Sequence, residues 1–508
     1  MNQIDALAAK RFKLTVGELM ERAAAAAVQT LIQKAGPLSK KTIGIVCGKG
    51  NNGGDGLAAA RLLKKKGIAP LVFLGCEPKN LNLEAAKQYQ KAKGVGVRMI
   101  LVSKAGQLPS ARAALSRCDF LMDALLGTGL SRVPQGITRD LIEMMNRSGK
   151  PILALDTPSG FCVDQGAAFG SAVHASFTVT FGLLKPGFYM PGAAAFTGPV
   201  SLAPIGLPPE LLAADFLSGE LIDRHLAREV LPRYDQDIHK GTRGRVLVVA
   251  GSLGLTGAAA LSAWGAQRVG AGLVTVACAQ SLLPILAVKL TEAMTAPLPE
   301  VRGGFISRKA ATKILQLAQK ADAVVIGPGL GRHPETAKLL AKILPQLSKP
   351  LVLDADALFL LSGQEKLVRK LKAPVLLTPH SGEAGRLLGI SAVEVERNRL
   401  KIAKQIAREY NGVAVLKGPH TVIARASGAV RINPTGNRAL ATGGTGDVLS
   451  GILGGLLAQG LTPFDAAAAG VYLHGLAGEK AGEIFGPDGL LAGDLLPILP
   501  QLLKQIRE

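Results

Sequence analysis

The chain has 508 residues, more than one hydrophobic core ordinarily serves, so two domains are expected. Its hydrophobic share of 48% can fill two cores, while 4% aromatics and a single Trp argue against the stacking platforms that bind single-stranded nucleic acid. The formal charge is +22, but the basic residues are scattered, and such a field attracts polyanionic small molecules such as dinucleotides without forming a nucleic-acid patch. The densest basic run, Lys64–Lys66, closes a predicted helix, where cations favour the helix dipole.

Cys47, Cys76, Cys118, Cys162 and Cys278 stand singly, with no C-x-x-C. That reads as reduced thiols in a cytoplasmic protein, with neither a disulfide frame nor a zinc site. The first residues lack the apolar core of a signal peptide. No apolar run reaches a membrane span without Gly, Pro or charge.

In chain order, short apolar or β-branched runs alternate with Ala/Leu/Lys stretches, the pattern of parallel strands covered by helices. Strands are expected within 41–47, 69–75, 120–123, 151–156 and 177–182. A second series falls within 244–252, 272–278, 321–331, 350–358, 374–383 and 413–421. Between them lies 203–222, whose prolines should interrupt any strand or helix and mark a boundary. Domains are therefore placed at 1–215 and 225–508. Nearly every expected strand ends in a Gly, Asp, His or Lys cluster, and open parallel sheets bind ligands beyond those ends.

After the first strand, GKGNNGGDG (48–56) opens a helix. Gly48, Gly50 and Gly53 satisfy G-x-G-x-x-G, and Glu77 follows the next strand, which is a dinucleotide-binding pattern. Asn51, Asn52 and Asp55 put amides and a negative charge where a pyrophosphate would lie, so a loop that reads hydroxyls, amides or a cation competes with that pattern. Asp123 and Asp156 end later strands and could meet this loop. Carboxylate, amide and carbonyl oxygens together suit a hard cation. Lys185 could pair with Asp156. The competing reading is that each carboxylate caps a local turn.

In the second series, GSLGLTG (251–257), GPGLG (327–331), TPHSGE (378–383) and KGPHT (417–421) follow strands. ATGGTGDVLSG (441–451) then leads into an apolar helix. N–H groups at such a helix start bind an anion, usually phosphate. Asp447 has little reason to bind phosphate and is better used on a proton beside it. A Gly-rich turn capped by Asp is the plainer alternative. No G-x-x-x-x-G-K-[ST] occurs, which excludes a P-loop.

These motifs together resemble the bifunctional NAD(P)H-hydrate repair enzymes, in which an epimerase domain is fused to an ADP-dependent dehydratase. For the first domain the resemblance rests on LTVGELMERAAAAA, GNNGGDG, DALLGTGL, LDTPSG and TFGLLKPG. For the second it rests on HKGTRGRVLVVAGS, GPGLG, LDADAL, TPHSGEAGRLLG, VLKGPHT and NPTGNRALATGGTGDVLSG. It implies an α/β fold with an N-terminal Rossmann-like parallel-sheet sandwich and a C-terminal ribokinase-like α/β/α domain. The damaged cofactor would lie on Asn51, Asn52, Gly53, Gly54 and Asp55 and on Gly127, Thr128, Gly129, Leu130, Ser131, Arg132 and Val133. Potassium would sit on Asn52, Asp123 and Ser159, with Asp156 and Lys185 as the acid–base pair. In the second domain the hydrated nicotinamide would lie near Ala258, Gly329, His380 and Asp447. ADP, with magnesium, would lie on Lys417, Gly418, Pro419, His420, Thr421 and Gly446. Two departures from the family pattern stand out: Ser176–Phe177 at the start of the TVTF strand, and Phe161 after PSG.

The resemblance further implies that ADP is a helper, where related kinases would deprotonate a hydroxyl with the same aspartate. The expected partners are hydrated NADH and NADPH and ADP, in a homo-oligomer with no nucleic-acid or membrane partner. A ribokinase-like small-molecule kinase fused to a Rossmann-type domain is the alternative.

Overall fold

The computed structural model describes every residue except Met1, Ser131, Ala213, Asp215, Phe216, Ser218 and 235–238, and the side chains of Asn2 and Asp5. Two units result, residues 1–217 and 218–508.

In the first unit, helix α1 (Val16–Ala35) starts at a reciprocal cap: the Thr15 hydroxyl accepts from the Glu18 N–H, and Glu18 accepts from the Thr15 N–H. The sheet is built from β1 (Thr42–Cys47), β2 (Ala69–Leu74), β3 (Arg98–Leu101), β4 (Phe120–Ala124), β5 (Ile152–Leu155), β6 (Phe177–Phe181) and β7 (Val200–Ala203). Their order is β3-β2-β1-β4-β5-β6-β7 and every neighbouring pair is parallel. All carboxyl ends therefore share one edge, and the order reverses between β1 and β4, where a crevice opens. Successive side chains point to opposite faces: Ile43, Ile45 and Cys47 enter one apolar core and Val46 the other. Helix α2 (Asn51–Lys65) follows β1 at once and ends on the basic run. Phe161, the departure after PSG, stacks on Phe188 at 6.0 Å in a small core of its own.

The second unit contains β8 (Gly219–Leu221), β9 (Arg245–Val249), β10 (Leu273–Ala279), β11 (Met294–Leu298), β12 (Ala323–Ile326), β13 (Leu351–Leu353), β14 (Val375–Leu377), β15 (Val413–Leu416), β16 (Val422–Arg425) and β17 (Val430–Ile432). The order is β8-β17-β16-β15-β14-β13-β12-β9-β10-β11, again with a reversal, here at β9 and β12. Helices α3 (Thr256–Arg268), α4 (Ser381–Leu388), α5 (Arg399–Glu409), α6 (Thr445–Ala458) and α7 (Pro463–Phe485) complete the parts used below.

Two expectations need correction. The sheet of the second unit is not wholly parallel: β15, β16 and β17 pair antiparallel. A turn closed by the Gly428 N–H on the Arg425 carbonyl joins β16 to β17, and so short a connection can only join antiparallel strands. The 203–222 segment is not free of regular structure either, for it holds a short helix, Pro209–Leu212, and β8. Pro209 is the first residue of that helix, where a missing N–H costs nothing.

Helices α3 and α6 meet at backbone distance. A Cβ at Gly451 would stand 1.9 Å from the Ser262 carbonyl oxygen. Gly451→Ala is expected to destabilise the second unit by about 2–3 kcal/mol, read as a lower urea midpoint for its transition. An unchanged midpoint would contradict this packing.

Candidate active sites

The first unit carries a cavity of about 810 Å³ at the β1/β4 reversal. Asn51, Asn52, Asp55, Gly127, Thr128, Gly129, Leu130, Arg132, Val133 and Asp156 all line it. Ser131 lies outside the described residues. Gly53 and Gly54, also expected to hold the cofactor, stand in the first turn of α2 between the lining residues Asn52 and Asp55. A Cβ at Gly53 would lie 1.9 Å from the Gly48 carbonyl oxygen, and one at Gly54 would lie 2.6 Å from Met20 Sδ. Their lack of side chains lets α2 seat against the β1 turn and α1. Lys49 and Cys76 also line the cavity and were not singled out from the sequence, although Lys49 lies within the GKGNN run.

Asp156 follows β5 with φ +61, a left-handed backbone uncommon outside glycine. Its Oδ1 accepts from Lys185 Nζ at 2.5 Å, from Thr180 Oγ1 at 3.2 Å and from the Phe181 N–H at 3.2 Å. Lys185 is buried and also donates to Thr180 Oγ1 and the Phe181 carbonyl. The pair therefore sits at the cavity wall with its geometry held from behind.

Below that wall, Asp123 is buried. Burial pushes its carboxyl up to about 6 against the opposing pull of Ser159 and the Leu125 N–H. Ser159 donates to it through its hydroxyl at 2.6 Å and its N–H at 2.7 Å. Asn52 Nδ2 donates to the Leu126 carbonyl at 2.7 Å, and Ser159 Oγ is 3.4 Å from that same oxygen. Asn52 Oδ1 is buried with no hydrogen-bond partner. No ion pair to Asp123 occurs among the described residues. A buried carboxylate, an amide oxygen with no donor and a hydroxyl thus lie together, a donor set that suits a hard cation.

In the second unit, the loops after β9 and β12 touch. Ser252 Oγ donates to the Gly329 carbonyl at 2.8 Å, and a Cβ on Gly329 would lie 3.0 Å from that of Ala258. His380 caps α4: its Nδ1 accepts from the Gly382 N–H at 3.0 Å, while its Nε2 lies 3.5 Å from Glu383. The ring is otherwise exposed. The KGPHT turn places Gly418 and Pro419 at the surface and Lys417 and Thr421 half-buried. His420 sits at φ +52. Burial and then Arg399 hold its ring below the usual histidine range.

Helix α6 begins after Gly444, whose φ is +94. The N–H groups of its first turn, which contains Gly446 and Asp447, have no partner within the helix. Lys417 Nζ lies 2.8 Å from Asp354 Oδ1 and 3.9 Å from Glu383 Oε2. Asp354 is buried and also accepts from Thr378 Oγ1 at 2.6 Å and from the Ser450 hydroxyl. Burial alone would raise the Asp354 carboxyl, but Lys417 and the two hydroxyls overcome it and hold the group below its ordinary range. Asp447 has no such compensation. Burial first, then the Asp354 charge, push it up to about 7 against Lys417, with Asp356 and Glu383 pushing the same way. Asp354, Glu383 and Ser450 were not named from the sequence. Asp354 ends β13 just as Asp156 ends β5, and that shared placement could have found it.

Residues 246–501 match the family model described as NAD(P)H-hydrate dehydratase, and residues 16–187 the one described as YjeF-related protein N-terminus. The architecture is thus that of a YjeF-type N-terminal domain followed by a ribokinase-like domain. A "ribokinase-like superfamily protein" of Enterococcus faecalis superposes with TM-score 0.51 at 28% identity, covering 58% of this chain and 99% of its own. An ADP/ATP-dependent NAD(P)H-hydrate dehydratase of Bacillus subtilis, co-crystallised with ATP and Mg2+, does so with TM-score 0.50 at 33% identity, covering 57% and 99%. The bifunctional NAD(P)H-hydrate repair enzyme Nnr of Moorella thermoacetica is 42% identical over 100% of this chain and 96% of its own length. That of Escherichia coli is 37% identical over 97% and 90%. The chain belongs to the family of bifunctional NAD(P)H-hydrate repair enzymes. No helix among the described residues is long and apolar enough to cross a membrane.

The buried pair beside Asp447 can be tested without substrate. Lys417→Met leaves Asp354 buried without its cation and is expected to destabilise the second unit by about 3 kcal/mol, measured by urea unfolding. A wild-type midpoint would show that Asp354 is neutral in the fold.

Proposed function

We infer that the first unit interconverts the two hydroxyl epimers of hydrated NAD(P)H and that the second dehydrates the S form to NAD(P)H with ADP bound. The feature that carries the reading is a buried carboxyl, Asp447, pushed up to about 7 in the first turn of a helix where the N–H groups have no partner within the helix. Loss of hydroxide from the ring carbon beside nitrogen, helped by the nitrogen lone pair, leaves an iminium. Removal of a proton from the neighbouring carbon restores the dihydropyridine. Hydroxide leaves poorly, and oriented N–H groups favour the negative charge that develops. Asp447 is the proton acceptor, and a base must be ionised to act.

Lys417, Gly418, Pro419, His420, Thr421 and Gly446 would hold ADP, and Ala258, Gly329 and His380 would frame the hydrated ring. Magnesium would offset the nucleotide's charge near carboxylates that already repel one another, since Asp354, Asp356 and Glu383 all push Asp447 up. The Bacillus subtilis relative was crystallised with ATP and Mg2+, which supports that assignment. In the first unit Asp156 and Lys185, 2.5 Å apart, would move the proton in epimerisation. Potassium on Asn52, Asp123 and Ser159 would neutralise the buried carboxylate and fix the cavity floor.

Given both hydrate epimers and ADP, the protein is expected to regenerate dihydronicotinamide absorbance without transferring phosphate. Asp447→Asn should lower dehydration about 10²- to 10⁴-fold while ADP binding by calorimetry and epimer exchange persist. The wild-type dehydration rate should climb as pH rises through about 7, as Asp447 loses its proton. Asp156→Ala should do the reverse, stopping epimer exchange while the S form is still consumed. Full dehydration by Asp447→Asn, or exchange above the uncatalysed rate in Asp156→Ala, removes that residue from the chemistry.

Replacing sodium by potassium should raise the thermal midpoint of the first unit in wild type and not in Asp123→Asn. An equal rise in both proteins would place the ion elsewhere.

A further inference from the structure

The epimerase cavity has a neighbour. A second cavity of about 490 Å³ lies against it, lined by Lys49, Glu77, Asn80, Ser103 and Lys104, with Gly75 and Cys76. Lys49, Gly75 and Cys76 line both spaces, so the two share a wall at the carboxyl ends of β1 and β2. Glu77 stands three residues beyond β2. Its Oε1 accepts from Ser103 Oγ at 2.8 Å, and Ser103 Oγ also lies 3.5 Å from Gln107 Oε1. The carboxylate is thus held in place, half-buried, beside the exposed amine of Lys104.

The sheet sets the distances. Asp156 ends β5 and Glu77 follows β2, and the order β2-β1-β4-β5 puts three strand spacings between them. That is roughly 14 Å along the edge. Between those ends lie residues 127–130, Arg132 and Val133 after β4 and Lys49 after β1, which line the first cavity. A dinucleotide whose hydrated ring meets Asp156 would lay its pyrophosphate past Lys49 and bring its second ribose to Glu77. Mutual charge repulsion argues against a phosphate resting on Asp55, whereas Lys49, before the helix begins, offers the opposite sign at the cavity wall.

We propose that the cavity of Glu77, Ser103 and Lys104 binds the adenosine end of the hydrated dinucleotide and lets the epimerase unit accept both cofactor forms. Glu77 accepts the ribose 2′-hydroxyl of the NADH hydrate, and Lys104 pairs with the 2′-phosphate of the NADPH hydrate. The assignment rests on the epimerase reading of the first unit. The two side chains pull in opposite directions: the carboxylate repels a 2′-phosphate and the ammonium attracts it.

The test is a pair of variants in the full chain, assayed without ADP by separating the hydrate epimers of NADH and NADPH. Glu77→Gln is expected to raise the NADPH-over-NADH ratio of kcat/KM about tenfold, and Lys104→Ala to lower it about tenfold. In both, kcat should stay near the wild-type value. A fold merely loosened by substitution would move both substrates together. A second readout is independent of turnover: ADP-ribose should slow alkylation of Cys76 by N-ethylmaleimide in wild type and less so in Glu77→Gln. Ratios unchanged within twofold, or shifting in the same direction in both variants, overturn the proposal, as does Cys76 alkylation indifferent to ADP-ribose. A wild-type protein that exchanges neither epimer, yet whose Cys76 ADP-ribose shields, would instead overturn the epimerase reading and leave the adenosine site standing.

Discussion

A parallel sheet delivers all its strand ends to one edge, and both catalytic regions of this chain depend on that constraint. Where the strand order reverses, adjacent connections leave in opposite directions and a crevice opens between them. In the first unit the reversal falls between β1 and β4, and in the second between β9 and β12. The glycine loops, the carboxylates and the lysines all lie just past those ends. Close helix–strand and helix–helix contacts seat the helices that start at those edges. Gly53 and Gly451 allow those contacts because neither has a Cβ to hold the backbones apart.

The two edges treat carboxylates differently. In the first unit, Asp156 has its own lysine, and the buried Asp123 is surrounded only by neutral donors. In the second unit one lysine, Lys417, faces several carboxylates and sides with Asp354. Asp447 is left buried and with a surplus of negative neighbours, and its proton affinity rises accordingly. A carboxyl tuned in this way can accept a proton near neutrality, whereas one paired as Asp354 is cannot. Asp354 thus shapes the electrostatics of the site from beneath it.

Much of this was legible in the sequence. Strands buried on both faces read as continuous apolar runs, so β1, β2, β4, β9 and β12 stood out, and the polar clusters after them marked the edge. What escaped has physical reasons. β3 is half-exposed and four residues long, and β11 carries a proline. β16 and β17 are short strands of a hairpin whose pairing follows from a tight turn. Gly53 and Gly54 read as ligand contacts, and their missing Cβ also lets α2 pack closely, two uses that a glycine motif does not distinguish. Asp354 escaped because a buried carboxylate is recognisable only once its partners are known, and Lys417 lies 63 residues away in sequence. Asn52 and Asp123 were read from the residues as candidates for a hard cation and Ser159 was added by family resemblance; the sequence alone could not have told that the Asn52 amide oxygen lacks a donor.

Asp156 shows backbone and chemistry selecting the same residue. Its main chain occupies a region that most side chains avoid, and the residues most at ease there are glycine, asparagine, aspartate and histidine. Of these only aspartate brings an acidic group. Evolution at this position therefore has very little alphabet to work with: a longer acid such as glutamate would keep the charge and strain the turn, and the amide would keep the turn and lose the charge.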